Sequence, residues 1–117
     1  MPVIKSSNKM DFKSWLFKEP LYVSKFGTLE PKNLNSNKKI IPDLIMVPLV
    51  AFDNQLNRIG YGKGYYDRIL QKIAKNKKKT ISLGIAYSFQ KCAKIAVNKY
   101  DFKLDYIFTE RGLISSN

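Results

Sequence analysis

Three glycines at alternate positions, Gly60, Gly62 and Gly64, form the part of the sequence best suited to chemistry. Because glycine has no side chain, the backbone N–H groups of such a segment can approach a ligand closely. A helix pattern begins directly after Gly64, and the first amides of a helix are unsatisfied donors at the positive end of its dipole. The segment therefore predicts an anion site. A tight strand-to-helix turn also explains the spacing, and the pattern matches neither a Walker A loop nor the dinucleotide fingerprint.

Charged and aromatic neighbours of this segment favour a phosphate ligand. Arg58 can bind two phosphate oxygens through a bidentate pair of hydrogen bonds, and Lys63 supplies a point charge. Asp67 falls in the first helical turn, where its carboxylate could hold Mg²⁺ beside the phosphates or simply complement the helix dipole. Tyr65 and Tyr66 point about 100° apart on a helix, so one can pack inward while the other lines the site.

Composition excludes several other kinds of site. The 117 residues contain no histidine and one cysteine, Cys92, which excludes Ser-His-Asp and Cys-His catalysis, Cys/His zinc sites and an internal disulfide. Acid–base or metal chemistry must then use Asp, Glu, Lys or Tyr. A lone cysteine suits a reducing cytoplasm, and no apolar run approaches the roughly 20 residues of a membrane span. We expect a cytoplasmic protein with no membrane partner.

The positive charge leaves a second function open. Lys and Arg number 21 against 9 Asp and Glu, giving a net charge of +12, which is compatible with a basic nucleic-acid-binding module. The lysines are spread along the chain, however, and their densest run, at 77–79, follows the predicted helix, where cations complement the dipole. Nucleic acid is therefore the less favoured partner. Arginine is scarce, and Arg58 and Arg68 both flank the glycine segment.

The elements that must position this segment form a βαβ unit. The apolar run at 43–52 predicts a strand covered on both faces, with Pro48 marking its end because proline cannot donate to a central ladder. A helical stripe of apolar residues then runs to about Lys75, and 80–86 alternates like a second strand. Two strands joined by a helix must be parallel, with a right-handed crossover.

Together with the rest of the pattern, this unit predicts an α/β fold class with a small, mainly parallel sheet. A third short strand is predicted at 106–108, and 113–114 closes the chain. One domain is expected over 1–117, with an irregular N-terminal part at 1–40 and a nucleotide-binding βαβ part at 41–117. Within the first part, 3–4 predicts a short extended piece and 32–39 a surface loop.

The glycine segment and the strand before it resemble the signature of the 5-formyltetrahydrofolate cyclo-ligases, also called methenyltetrahydrofolate synthetases. The resemblance rests on Val-Pro-Leu-Val-Ala-Phe-Asp at 47–53 and on Arg-Ile-Gly-Tyr-Gly-Lys-Gly-Tyr-Tyr-Asp-Arg at 58–68. Shorter matches flank these stretches at 26–27, 30–31, 42–44, 83–87, 104–105 and 109–112. Almost the whole chain is similar to the C-terminal part of that family.

This resemblance implies an ATP- and Mg²⁺-dependent ligase of one-carbon metabolism. Such an enzyme converts 5-formyltetrahydrofolate to 5,10-methenyltetrahydrofolate with release of ADP and phosphate. ATP phosphorylates the formyl oxygen, and the folate N10 then closes the ring and expels phosphate. The transfer depends on positioning and charge neutralisation, which can proceed without histidine. The implied architecture is a three-layer sandwich, with helices flanking the sheet, that lacks the family's N-terminal segment.

The resemblance also implies roles for individual residues. The residues expected to act in catalysis are Arg58, Lys63 and Tyr65. Those expected to bind ATP are Arg58, Gly60, Tyr61, Gly62, Lys63, Gly64, Tyr65 and Tyr66. Those expected to border the reduced folate are Tyr61, Gly62, Lys63, Gly64 and Tyr65. Asp67 and Asp105 are expected to hold magnesium, although Asp105 precedes its strand, and in a parallel sheet that end lies away from the loop.

The departure from the family pattern is length. Family members begin with a further segment of helices and a strand, which carries basic residues for the ATP phosphates and part of the folate pocket. We therefore expect a separate N-terminal chain, or self-association, to complete the site and to cover exposed sheet edge or apolar surface. The alternative is a catalytically silent remnant that keeps the fold and nucleotide affinity.

Overall fold

The computed structural model describes residues 1–7, 9–32, 40–76 and 79–115. They belong to two compact units, Met1–Pro42 and Asp43–Asn117. Most of the predicted loop at 32–39 and of the lysine run at 77–79 lies outside the described residues. The expectation of one domain over 1–117 stays a prediction.

The first unit contains two antiparallel hairpins. Strand β1 (Pro2–Ser6) pairs with β2 (Lys9–Phe12), and β3 (Leu21–Val23) pairs with β4 (Leu29–Pro31). The sequence pattern predicted only the extended piece at 3–4, so the expectation of an otherwise irregular part is wrong. Strands of three to five residues are too short to show a clear alternation of apolar and polar residues.

The second unit is built on a mixed four-stranded sheet with one helix among its described residues. Its elements are β5 (Leu44–Val47), β6 (Ala51–Phe52), β7 (Arg58–Ile59), α1 (Tyr65–Ala74), β8 (Ile81–Ile85), a 3₁₀ turn (Ser88–Gln90), β9 (Tyr106–Thr109) and β10 (Gly112–Ser115). The strand order is β10-β9-β8-β5, in which β5, β8 and β9 are parallel and β10 is antiparallel to β9. The predicted βαβ unit is confirmed, and α1 ends at the predicted point, with Lys75 as its C-cap.

The predicted strand at 43–52 is divided in the structure. Strand β5 ends at Val47, directly before Pro48 as predicted. The chain then leaves the sheet, and β6 forms a separate antiparallel hairpin with β7, pairing Ala51 with Ile59 and Phe52 with Arg58. This hairpin carries the chain from the carboxyl end of β5 to the glycine segment.

The core lies on one face of the sheet. The buried strand residues alternate, and α1 contributes a buried stripe with the spacing of an amphipathic helix. The buried apolar residues of these elements are Ile45, Val47, Phe52, Ile69, Leu70, Ile73 and Ile107. Gly84 lies close to Leu104 and Leu49, since a Cβ there would lie 2.7 Å and 2.8 Å from their methyl carbons. This position in β8 therefore needs glycine.

The opposite face of the sheet is apolar and exposed. The large apolar residues on it are Leu44, Met46, Ile81, Ile85, Tyr106, Phe108 and Leu113, with exposures from 36% at Tyr106 to 62% at Met46 and Leu113. The expectation of a strand covered on both faces is therefore wrong for β5. The predicted three-layer sandwich with flanking helices is not confirmed, because α1 is the one α-helix in the described part of the chain. Parallel sheets are normally covered on both faces, which makes this surface unusual.

Within the described ranges, no helix has the length and apolar character needed to cross a lipid bilayer.

The buried carboxylate of Asp53 organises the hairpin. Asp53 is 3% exposed, and its oxygens accept hydrogen bonds from the backbone N–H groups of Gln55 and Asn57 at 3.0 Å and of Ile95 at 3.1 Å, and from the Asn57 side chain at 3.1 Å. Burial alone would raise the pKa of Asp53, but the bonds from Ile95 and Asn57 outweigh it and hold the pKa below the ordinary 3.8.

We predict that Asp53→Asn lowers the free energy of unfolding by about 2–3 kcal/mol at neutral pH, because an amide N–H₂ then faces backbone donors. Since the folded-state pKa of Asp53 is lowered, its contribution is complete above pH 3.8 and is lost as the pH falls through that lowered pKa. Urea unfolding at pH 7 and pH 3 should show that the difference in unfolding free energy between variant and wild type is smaller at pH 3. The exposed Asn54→Ala is the control, and equal stability of Asp53→Asn and wild type at pH 7 would contradict the assignment.

Candidate phosphate and substrate site

The glycine segment leads directly into α1, beyond the carboxyl end of β5. Gly62 and Gly64 have φ values of 95° and 70°, in the left-handed region that favours glycine. Gly64 is the N-cap of α1, and no side chain caps the helix there. The first amides of a ten-residue helix therefore start at a residue without a side chain, at the edge of the sheet where parallel folds bind ligands.

Two arginines pack against the glycines at either end of the segment. A Cβ on Gly60 would lie 2.6 Å from Arg58 Nη1, and a Cβ on Gly64 would lie 2.9 Å from Arg68 Nη1. Arg58 also donates to the carbonyl of Pro48 at 3.1 Å, and Arg68 donates to the carbonyl of Lys63 at 2.6 Å. Because residues 60 and 64 have no side chain, the guanidinium groups of Arg58 and Arg68 can pack directly against the backbone of the segment.

The predicted phosphate ligand and the predicted magnesium ligand contact each other. Arg58 Nη2 lies 3.2 Å from Asp67 Oδ1, and these side chains are 5% and 23% exposed. The same Asp67 oxygen accepts a hydrogen bond from the Phe102 N–H at 3.2 Å. Arg58 Nε is buried without a hydrogen-bond partner among the described residues. The Arg58 side chain is therefore part of the wall beneath the segment.

The aromatic residues and Lys63 divide into supporting and exposed groups. Tyr66 packs near Arg58, with the guanidinium carbon 6.0 Å from the ring centroid, and Tyr65 packs near Arg68 at 5.7 Å. Burial raises the pKa of Tyr66 despite the nearby Arg58 charge. Tyr61 and Lys63 are exposed, so they are the side chains of the segment available to a ligand in solution.

Asp105 belongs to a different hydrogen-bond network from Asp67. Its Oδ2 accepts from the backbone N–H and the hydroxyl of Ser82 at 2.9 Å and 3.1 Å, near the amino ends of β8 and β9. In parallel strands this end lies away from the glycine segment. Asp105 as a second magnesium ligand stays a prediction that these contacts do not favour.

The backbone next to Asp101 lies near Asp67, while the Asp101 carboxylate itself accepts a hydrogen bond from the Asn98 N–H at 3.0 Å. Because the Phe102 N–H binds Asp67, the peptide between Asp101 and Phe102 lies against that carboxylate. The sequence places aspartates at both 101 and 105, and spacing alone could not choose between them. Among the described residues, no group of three or more His, Cys, Asp or Glu could hold a metal ion.

A cavity of about 390 Å³ lies at the carboxyl ends of β8 and β9, and its walls include Phe52, Phe89, Lys91, Thr109, Arg111 and Leu113. Sequence reasoning did not find it as a site. Its lining comes from four separate elements, so no local spacing in the sequence marks it.

Comparison with known proteins decides the family. The model of the 5-formyltetrahydrofolate cyclo-ligase family matches residues 1–110. The chain belongs to this family. The 5-formyltetrahydrofolate cyclo-ligase of Haemophilus influenzae is 37% identical over 97 residues, which cover 80% of this chain and 50% of that protein. The cyclo-ligase of Mycoplasma genitalium is 43% identical over 75 residues, which cover 62% of this chain and 43% of that protein.

A solved cyclo-ligase-family fold matches nearly the whole chain. The NMR structure of Aquifex aeolicus 5,10-methenyltetrahydrofolate synthetase aligns with 99% of this chain at a TM-score of 0.75 and 31% identity, and 57% of that protein is covered. The resemblance inferred from the signature residues is confirmed. The chain spans about half the length of the cyclo-ligases that it matches.

We predict a coupling free energy of about 1–3 kcal/mol between Arg58 and Asp67, because removing either partner leaves a largely buried charge. A double-mutant cycle with Arg58→Met and Asp67→Asn, measured by urea unfolding, gives this value. Lys63→Met is the control, since it removes an exposed cation of the same segment and should change stability by less than about 0.5 kcal/mol. Additive effects of the two substitutions would show that the pair does not hold the segment.

Proposed function

We propose that this chain carries the nucleotide-binding part of a 5-formyltetrahydrofolate cyclo-ligase. The reaction is the ATP-dependent conversion of 5-formyltetrahydrofolate to 5,10-methenyltetrahydrofolate, with release of ADP and phosphate. The observation that carries the proposal is the braced segment from Gly60 to Gly64 at the start of α1, in a chain that belongs to this family.

The geometry suits phosphoryl transfer to the formyl oxygen. The transferred group bears negative charge throughout, so a fixed set of amide donors and cations stabilises it without the cost of rearrangement. The amides from Gly60 to Tyr66 would face the ATP phosphates, and exposed Lys63 would neutralise them. Tyr61 to Tyr65 would border the folate, with Lys63 and Tyr65 at the reacting groups.

Arg58 takes a changed role in this proposal. Its guanidinium is 5% exposed, lies under Gly60 and pairs with Asp67. From that position it would fix the conformation of the segment and place a positive charge behind its backbone amides. Arg58 is therefore a positioning residue, and Arg68 acts in the same way at the other end of the segment.

Magnesium would be held by Asp67 and Asp101. Mg²⁺ typically keeps several waters and takes one or two protein carboxylates together with substrate phosphates, so it needs no site made wholly of protein ligands. The bond from the Phe102 N–H to Asp67 brings the backbone next to Asp101 to the first turn of α1, which supports Asp101 as the second carboxylate. The ion, when bound, neutralises phosphate charge.

We expect Asp101→Asn to raise the Mg²⁺ concentration needed for half-maximal ATP binding several-fold, because it removes a carboxylate ligand. Calorimetric titration of ATP at a series of Mg²⁺ concentrations measures the shift. Asp105→Asn is the matched control, and it should lower stability through the lost Ser82 bonds while leaving the Mg²⁺ dependence unchanged. The reverse pattern would restore Asp105 as the ligand.

A second polypeptide completes the enzyme in this proposal. The Aquifex aeolicus protein extends well beyond the 57% that this chain covers, and the sheet here leaves one apolar face exposed. The occupant we expect on that face is the N-terminal part of a cyclo-ligase, supplied as a separate chain.

The activity test combines this chain with the N-terminal part of the Haemophilus influenzae relative and follows the absorbance of the methenyl product. We expect ATP-dependent turnover in the mixture that Lys63→Ala lowers by about tenfold, since one charged contact to phosphate is lost. Lys72→Ala, which removes an exposed cation from the last turn of α1, should leave the rate unchanged.

Two results of this test have defined meanings. Magnesium-ATP binding by calorimetry without turnover in any mixture would indicate a silent remnant that keeps nucleotide affinity. Absence of both binding and turnover would contradict the proposed function.

A further inference from the structure

The cavity beside β8 and β9 has the position and size of a small-molecule site. It opens at the carboxyl ends of parallel strands, where ligands bind in such sheets. Its volume of about 390 Å³ falls within the range of roughly 300–1,000 Å³ that such pockets occupy. Buried Phe52 and exposed Leu113 give it apolar walls.

The charge of the cavity favours an anion. Lys91 and Arg111 line it, and none of the described residues in its lining is acidic. Glu110 is adjacent in sequence, but its carboxylate accepts hydrogen bonds from the Ser88 N–H at 2.9 Å and from the Ser88 hydroxyl. That carboxylate is held at the 3₁₀ turn, where the neighbouring Arg111 charge also attracts it, and Lys91 and Arg111 are the charged residues of the lining.

Phe89, which lines the cavity, and Tyr87 form an aromatic platform. The Phe89 ring is 79% exposed and stacks on the Tyr87 ring, with centroids 5.5 Å apart and planes 9° from parallel. Two stacked rings at the mouth of a cavity present a flat apolar face on which a planar ligand can stack.

The cavity and the glycine segment share one hairpin. The Cys92 N–H donates to Phe52 in β6 at 2.7 Å, and the Gln90 side chain donates to the Val50 carbonyl at 3.0 Å. The Val50 N–H in turn donates to Ile59, directly before Gly60, at 2.7 Å. The hairpin therefore connects the backbone of the segment to the lining of the cavity.

We propose that this cavity binds the p-aminobenzoyl-glutamate portion of the reduced folate. The identity of the substrate rests on the proposed function. The benzoyl ring matches the Phe89 platform, and the two glutamate carboxylates match Lys91 and Arg111. An adenine ring, which is neutral, would stack on Phe89 but would match neither cation.

The test is a titration of the ¹⁵N-labelled chain with p-aminobenzoyl-L-glutamate, followed by amide chemical shifts. We expect shifts centred on Phe89, Lys91 and Arg111, and an affinity that Lys91→Glu lowers by roughly tenfold or more, since attraction becomes repulsion. Lys103→Glu is the matched control, because it makes the same charge change before β9, on the side of Asp105. Phe89→Leu should weaken binding while the spectrum remains that of a folded chain.

A parallel titration with magnesium-ATP keeps this inference separate from the proposed function. Shifts at the cavity with p-aminobenzoyl-glutamate, together with no shifts at 60–64 with ATP and no turnover in the mixture, would reject the proposed function and leave the cavity assignment standing. No shifts up to millimolar ligand, shifts confined to 60–64, an equal loss with Lys103→Glu, or the same cavity shifts with adenosine would overturn the assignment.

Discussion

The ion pair between Arg58 and Asp67 joins the last strand before the glycine segment to the first turn of the helix after it. Both side chains are largely withdrawn from water, so neither charge tolerates the loss of the other. The segment between them is consequently held at a fixed span. Preorganised donors stabilise phosphate charge without rearranging. The ion pair therefore makes the five residues from Gly60 to Gly64 a candidate phosphate site.

Glycine and arginine depend on each other in this arrangement. Side chains at 60 and 64 would displace the guanidinium groups of Arg58 and Arg68, so the same residues that expose the backbone amides also admit the cations beneath them. Asp53 fixes the preceding turn, between β6 and β7, because its buried carboxylate accepts hydrogen bonds from the backbone N–H groups of that turn. The opposite face of the sheet has no such arrangement and exposes large apolar side chains.

Local patterns were sufficient for the elements that surround the site. The end of β5 at Pro48, the stripe of α1 and the parallel pairing of β5 with β8 follow from proline chemistry and from periods that a single sequence displays. The signature of the family also marked the glycine segment. Contacts between distant residues were not predictable in the same way. Nothing local shows that Arg58 folds inward to Asp67, that the amide of Phe102 binds the same Asp67 carboxylate, or that 50–52 leaves the sheet for a hairpin with β7.

A crystal structure of the chain with a non-hydrolysable ATP analogue and Mg²⁺ tests the central claim most directly. The account predicts the triphosphate against the amides between Gly60 and Tyr66, with the Lys63 ammonium on a phosphate oxygen and the Arg58–Asp67 pair intact beneath it. A triphosphate bound elsewhere, or a segment that stays closed to saturating nucleotide, would contradict the claim.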